Sequence, residues 1–261
     1  MNIPFSKYHG TGNDFVVIDN RAINWLPSRQ QVLLLCDRHF GIGGDGLMLL
    51  TEKTGYDFAM TYYNSDGNES TMCGNGGRCM TAFAKKLGLV GSEACFWAID
   101  GSHEARVAEG GPSDVFHLKM KDTVIGQTYP DGIFLDTGSP HFVTFVNDAA
   151  NTDVFQKGST LRNDRRFAPG GTNVDFVEIQ SNGLFVRTYE RGVENETLSC
   201  GTGVTASAIA VASAGNEKTG TYDVATPGGA LKVRFVQTGN LFSEIWLEGP
   251  AEFVFEGEVE I

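Results

Sequence analysis

Hydrophobic positions along the chain gather in short runs that either alternate with polar residues or stay apolar for a few positions, each cut off by Gly, Asn or Asp. Phe15–Ile18, Leu47–Leu50, Phe58–Tyr63, Leu184–Tyr189, Leu231–Phe235 and Glu244–Leu247 are the clearest. Runs of that length between turn-forming residues predict strands and hairpins. Helical patterning is sparse. One helix is predicted over Gln30 to Asp37, after Pro27-Ser28, and two more follow Cys73 and Cys200. In these two, Met80–Ala84 and Val204–Ala212 are small and apolar on nearly every face. A helix with no polar face must be enclosed.

A shift of the chain against itself lays Cys73-Gly74-Asn75-Gly76 on Cys200-Gly201-Thr202-Gly203, Phe15-Val16 on Phe142-Val143, and Asn64 on Arg191, in one ungapped register. This predicts two copies of a strand-rich unit, each wrapped on a buried helix that begins with Cys-Gly-x-Gly and meeting along a pseudo-two-fold axis. The predicted class is α+β, with two pseudo-symmetric domains, each a mixed sheet or barrel around a central helix. Their expected limits are 1–121, joined by the C-terminal strand 250–261, and 122–249, with the boundary near Asp122 to Pro130.

Composition narrows the partners. Glycine, 33 of 261 residues, is well above its usual share of about 7% and fits a turn-rich fold. The length suffices for one large or two modest cores, which excludes disordered and fibrous architectures. A net charge of −12 with no basic cluster longer than two residues argues against nucleic acid or an anionic membrane as partner. Met1–Lys7 lacks the layout of a signal peptide, so a cytoplasmic location is expected. Leu198–Asn216 is uncharged but too rich in Gly, Ser, Thr and Ala for lipid, and is expected as a helix buried in protein. The five cysteines lack CxxC spacing and are expected as reduced thiols.

The sharpest local signal is Asn64-Ser65-Asp66-Gly67 followed by Met72-Cys73-Gly74-Asn75-Gly76-Gly77-Arg78-Cys79. A strand ends, a turn follows, and a cysteine stands at a helix start. The helix dipole and the unpaired N–H groups there favour thiolate, which predicts a pKa below about 8.5. The following glycines let a ligand approach, and the first-turn N–H groups suit a carboxylate or phosphate. A single such motif also fits a structural cysteine beside a tight turn. The arrangement recurs, however, in Glu190-Arg191-Gly192 and Thr197-Leu198-Ser199-Cys200-Gly201-Thr202-Gly203. Two equivalent acid/base groups on opposite sides of one carbon are what inversion of a stereocentre needs: one thiolate removes the Cα proton and the other thiol returns one to the opposite face. With each sulfur about 3 to 3.5 Å from that carbon, the pair would stand about 6 to 7 Å apart.

These motifs resemble the diaminopimelate epimerase family, cofactor-independent isomerases of lysine and peptidoglycan precursor synthesis that share their fold with proline racemases. Besides both cysteine motifs, the resemblance includes His9-Gly10-Thr11-Gly12-Asn13-Asp14-Phe15, Gly138-Ser139-Pro140-His141, Thr172-Asn173-Val174-Asp175-Phe176 and Glu190-Arg191-Gly192. It implies that Cys73 and Cys200 are the catalytic bases and that Gly74, Asn75, Gly201 and Thr202 hold the carboxylate at the reacting centre. Asn13, Asn64, Asn173, Glu190 and Arg191 would bind the rest of the substrate, with His141 and Glu190 orienting the reacting amino group. Arg191 offers a fork for a distal carboxylate and Glu190 an acceptor for an ammonium. The implied reaction is LL-2,6-diaminopimelate to the meso form, with no pyridoxal phosphate, metal or nucleotide as cofactor, in a homodimer whose partner is a small amino-acid substrate. A racemase of proline, hydroxyproline or histidine is the alternative enzyme, and an inactive amino-acid-binding homologue the alternative outside catalysis. Gly46 and Ser139 stand where many family members carry glutamine and asparagine, so two polar groups facing the substrate are expected to be absent or replaced by water.

Other features read as structural. Gly41-Ile42-Gly43-Gly44-Asp45-Gly46 matches G-x-G-x-x-G, but a helix precedes it and a strand follows, the reverse of a dinucleotide loop. Cys36, Cys79 and Cys95 are expected in the core. His9, His39, His103 and His117 show no metal-ligand spacing. Glu252–Glu260 alternates charge with apolar residues and reads as a solvated edge strand.

Overall fold

Phe15–Ile18 and Leu47–Leu50 do not alternate because their strands are covered on both faces. The computed structural model describes residues 1–108, 115–215 and 219–261. It divides into two units, Met1–Leu118 with Gly249–Ile261, and Lys119–Glu248. The first contains β1 (Asn2–Gly10), β2 (Asn13–Asp19), α1 (Arg29–Cys36), β3 (Gly46–Thr51), β4 (Phe58–Asn64), β5 (Glu69–Ser70), α2 (Gly74–Lys86), β6 (Glu93–Ala98), β7 (Gly101–Ala108) and β8 (Val115–Lys119). Strands β1, β2, β3, β4, β6, β7 and β8 pair successively, parallel at β2/β3 and β4/β6 and antiparallel elsewhere. Helix α2 packs on β1, β2, β3 and β7, with every residue from Gly74 to Ala84 buried. Helix α1 begins with a capping box between Ser28 and Gln31. Its Val32, Leu35 and Cys36 join Ile3, Val16, Ile18, Leu47 and Leu49 in a separate apolar layer.

The second unit runs through β9 (Thr123–Tyr129), β10 (Gly132–Asp136), β11 (Pro140–Phe145), α3 (Val154–Arg162), β12 (Asn173–Gln180), β13 (Gly183–Glu190), β14 (Asn195–Thr197), α4 (Gly201–Gly215), β15 (Thr219–Thr226), β16 (Gly229–Thr238) and β17 (Leu241–Pro250). Strands β9 to β13, β15, β16 and β17 pair in turn, and Leu241 and Phe242 of β17 return to Val124 and Thr123 of β9, closing a barrel. Its parallel pairs, β11/β12 and β13/β15, fall at the same places as in the first unit. Helix α4 packs on seven of these strands and lies enclosed by them. The chain ends in β18 (Glu252–Glu260), which pairs with β1 from Asn2↔Glu260 to His9↔Glu252. It takes the place beside β1 that β9 takes beside β10, and most of its side chains are exposed. The chain thus forms the expected α+β fold of two strand-rich units, each with a central helix.

Several expectations shift in detail. Helix α4 covers Gly201–Gly215 of the predicted Leu198–Asn216 stretch, and Asn216 lies outside the described residues. No helix among the described residues is long and apolar enough to cross a membrane. Helix α3 was not legible in its sequence, VFQKGSTLR, which carries a mid-helix glycine. A Cβ at Gly158 would lie 2.4 Å from Tyr189 Cβ, so glycine is what lets α3 reach β13. Cys36 and Cys79 are core residues, but Cys95 is not. The alternation of β6 turns Cys95 to the half-buried face, where its sulfur lies 3.7 Å from Ser102 Oγ. The Gly41–Gly46 loop spends its amides on the end of α1: Gly43 N–H donates to Leu35 C=O at 3.0 Å and Gly44 N–H to Cys36 C=O at 3.0 Å. It has none to spare for phosphate at those positions.

Candidate active site

In the first unit the turn after β4 delivers Cys73 to the N-cap of α2 in extended backbone geometry, with Gly77 N–H on its carbonyl at 2.7 Å. The thiol reaches Asn13 Oδ1 at 3.6 Å. Asn13 Oδ1 also accepts from Asn75 Nδ2 at 3.3 Å, and Asn13 Nδ2 donates to Asp45 Oδ2 at 2.7 Å. Cys73, Asn75 and Asn13 therefore form one hydrogen-bonded group. Asn64 closes β4 half-buried, opposite Gly46 in the ladder. A Cβ at Gly46 would fall 2.5 Å from the Tyr62 ring, so that ring fills the space a longer side chain would need.

Asp45 is itself anchored. Arg38 donates to Asp14 at 2.6 Å and to Asp45 at 2.8 Å, and Lys7 Nζ pairs with Asp14 at 2.7 Å. Burial pushes the Asp14 carboxyl up, but hydrogen bonds from Arg38 and Lys7 outweigh it and hold the group at about 2.

In the second unit Cys200 is buried just before α4, its carbonyl accepting from Val204 N–H at 2.9 Å. Its sulfur lies 3.4 Å from Thr202 Oγ1, which lies 2.9 Å from His141 Nε2. His141 Nδ1 meets Asp175 Oδ2 at 2.7 Å, and Thr188 Oγ1 donates to Asp175 Oδ1 at 2.7 Å. His141 and Asp175 are fully buried. Because a carboxylate only accepts, Nδ1 carries the hydrogen. Thr202 Oγ1 thus lies within hydrogen-bond reach of both His141 Nε2 and the Cys200 sulfur. A Cβ at Gly203 would stand 2.4 Å from Asp175 Oδ1, so a glycine there admits the carboxylate against α4.

Asn173 Nδ2 donates to Ser139 Oγ at 2.9 Å and to Pro140 C=O at 2.8 Å, while its Oδ1 accepts from Arg191 N–H at 2.8 Å. Ser139 thus bonds directly to the neighbouring Asn173 side chain. Glu190 ends β13 and accepts from Thr197 Oγ1 at 3.0 Å, and Arg191 is exposed in the turn beyond it. Gly201 is buried and Thr202 half-buried in the first turn of α4. The second-unit residues expected at the site therefore converge, but both His141 nitrogens are engaged inside the protein.

One expectation is corrected. A helix start was predicted to lower the Cys200 pKa, yet burial raises it well above the ordinary thiol value, and the charges of Glu190 and Asp175 raise it further. The Thr202 hydroxyl and the Gly203 N–H oppose this without overcoming it. Asp175, Thr188 and Arg78 were not singled out from the sequence. An acid inside the apolar strand Val174–Val177 and an arginine on an all-apolar helix were the available signals.

The chain matches the profile of the diaminopimelate epimerase family over residues 5–112 and 133–254. It is 49% identical over 253 residues to the diaminopimelate epimerase of Flavobacterium psychrophilum, covering 96% of this chain and 97% of that one. It is 40% identical over 264 residues to that of Chlorobaculum tepidum, covering 97% and 99%. Among solved structures, a probable proline racemase from Agrobacterium radiobacter superposes with a TM-score of 0.74 at 16% identity, over 99% of this chain and 93% of that one. At that identity the likeness speaks for fold alone. Profile and identity over nearly the whole length carry the assignment: the chain belongs to the diaminopimelate epimerase family.

Proposed function

We propose that the protein interconverts LL-2,6-diaminopimelate and meso-2,6-diaminopimelate by proton transfer at one Cα, with Cys73 and Cys200 as the two bases. The observation that carries this reading is duplication: each unit starts an enclosed helix with Cys-Gly-x-Gly, and each cysteine has its own polar chain behind it. A thiolate takes the Cα proton, the S–H bond forming as the C–H bond breaks, and the electron pair left on carbon spreads into the adjoining carboxylate. First-turn N–H groups of Gly74, Asn75, Gly201 and Thr202 hold that carboxylate, where helix dipoles favour the added charge. The opposite thiol gives its proton to the other face of the carbon and ends as thiolate. Net charge is conserved and the two sulfurs exchange protonation states.

Burial, Glu190 and Asp175 suit Cys200 to the donor's part when LL substrate enters. Arg191 grips the distal carboxylate with two parallel N–H bonds, and Glu190 accepts from an ammonium. Asn13 and Asn64 add polar partners, Asn173 holds the Arg191 backbone, and His141 orients Thr202. The working form under this reading is a cytoplasmic homodimer, whose dimeric state light scattering at assay concentration checks.

The test is direct. Purified protein without added cofactor is given LL-diaminopimelate and, separately, proline, hydroxyproline and histidine, and stereoisomers are resolved by chiral chromatography. Conversion to the meso form should outpace every other reaction. Faster racemisation of a monocarboxylic amino acid would overturn the substrate assignment.

A further inference from the structure

The two-base proton transfer gives Arg78 nothing to do. Its side chain is 0% exposed, yet the guanidinium meets only neutral acceptors: Nη2 donates to Asn75 Oδ1 at 2.9 Å, Nη1 to Gly74 C=O at 3.3 Å, and Nε to Pro250 C=O at 3.3 Å. No carboxylate among the described residues forms an ion pair with it. Removing a charge from water without a counter-charge is expensive, and an apolar side chain would pack a helix interior at less cost. Burial pushes the guanidinium down to about 10, with the sulfurs of Cys79 and Cys73 opposing that shift, so it remains a cation at neutral pH.

The other cations behind Asn13 are paired. Lys7 and Arg38 face Asp14 and Asp45, two cations against two carboxylates. Cys79 is fully buried and held protonated by that burial, and Tyr8 is pushed up to about 12 by the same cause. Asp100, which accepts from Met72 N–H at 3.2 Å, lies 3.2 Å from His103 Nε2. Arg78 is the cation tied to Cys73 through Asn75 and Asn13, rather more than one helical turn along α2. As a thiol, Cys73 donates to Asn13 Oδ1; on ionising it gives up that bond, and a positive charge nearby favours the anion.

Resting on the two-base reading, we propose that Arg78 is the positioning residue of the first half-site, the buried counter-charge that holds Cys73 as thiolate when it ionises. It acts through two routes. Its charge favours the anion, and its Nη2 bond fixes Asn75 so that Nδ2 meets Asn13 Oδ1. Behind Cys200 the corresponding place is taken by Thr202, His141, Asp175 and Thr188, with the Asp175 carboxylate among them.

The experiment is alkylation of the intact protein by iodoacetamide across pH, read cysteine by cysteine by peptide mass spectrometry. In the native chain Cys73 should titrate at lower pH than Cys200. In Arg78→Met, Cys73 alkylation at pH 7 should fall about tenfold, the lower end of the range for loss of a buried opposite charge. Arg78→Lys should stay within about threefold of the native rate, because the charge is kept. Circular dichroism identifies variants that do not fold, in which case the native chain and Arg78→Lys decide. The proposal is overturned if native Cys73 titrates at or above Cys200, or if folded Arg78→Met alkylates at the native rate. A variant that only raises KM for diaminopimelate while alkylating normally would likewise overturn it, by giving Arg78 to the substrate carboxylate. Alkylation does not depend on turnover, so a protein inactive on diaminopimelate that shows the expected pattern would remove the substrate reading and leave this one.

Discussion

The two cysteine helix starts share backbone, glycine spacing and enclosure, and differ in what is buried behind the sulfur. Behind Cys73 stand two asparagines and an arginine that has no carboxylate partner among the described residues. Behind Cys200 stand a threonine, a histidine and a buried aspartate, with Glu190 adding its charge from β13. A cation favours thiolate and a carboxylate favours thiol. Under the proposal above, one duplicated scaffold holds two chemically identical groups with opposite preferences, which a reaction needing one base and one acid can use at once. At Cys200 burial and nearby charge push the thiol up despite its place at a helix start.

The largest expected effect comes from deleting either member of the comparison. Cys73→Ala and Cys200→Ala should each lower epimerisation by at least about a hundredfold, the usual scale for a lost general acid or base. A single variant that keeps near-native turnover would remove the two-base assignment. Next is the distal grip. Arg191→Met leaves a substrate carboxylate unpaired, which is worth roughly 1.5 to 3 kcal/mol, or about 10- to 150-fold in KM with kcat less affected. An unchanged KM would place the distal carboxylate elsewhere.

Asp175→Asn sharpens the contrast between the half-sites by removing the negative charge behind Cys200. The Cys200 thiol should then ionise at lower pH, since Asp175 is among the charges that hold it up. Alkylation of Cys200 should accelerate at a fixed pH near 8 while Cys73 is unchanged. Equal change at both cysteines would mean that the two halves are not independent. Gly158→Ala tests the scaffold, because the new Cβ would press on Tyr189 at 2.4 Å. Overpacking of that kind costs roughly 1 to 3 kcal/mol, read as a lower denaturation midpoint with unchanged alkylation profiles.

The smallest effect is the acid limb of stability. Asp14 is held at about 2 in the folded chain against 3.8 when unfolded. Its contribution is therefore complete above about pH 4 and is lost as pH falls towards about 2. Asp14→Asn should lower the denaturation midpoint at neutral pH and flatten its decline over that window. An acid limb as steep as the native one would contradict the depressed value.

Much of the fold was legible because strands such as Leu47–Leu50 announce two-sided burial and the Cys-Gly-x-Gly repeat marks both central helices. Helix α3 was not, since its hold on the barrel comes from Gly158 fitting against Tyr189, a tertiary fit that local propensity does not carry. The candidate site was readable as residue types at helix starts, but not as charge. Asp175 sits in a motif whose asparagine drew attention first, and only the structure places its carboxylate on His141. Gly46 read as an absent polar group, and what the sequence did not show is that the Tyr62 ring takes the space beside it and that Ser139 bonds to Asn173. Pairings across distant strands decide these points, and linear spacing does not encode them.

The central claim, two bases of opposite protonation acting on one carbon, is tested most directly by following LL-diaminopimelate in D₂O over the first few per cent of reaction. The thiol that returns the proton has by then exchanged with solvent. The account predicts meso product carrying one deuterium at the inverted carbon while recovered LL substrate stays unlabelled. Product that retains the substrate's own hydrogen, with or without label washed into recovered substrate, would show a single base working on both faces and would contradict it.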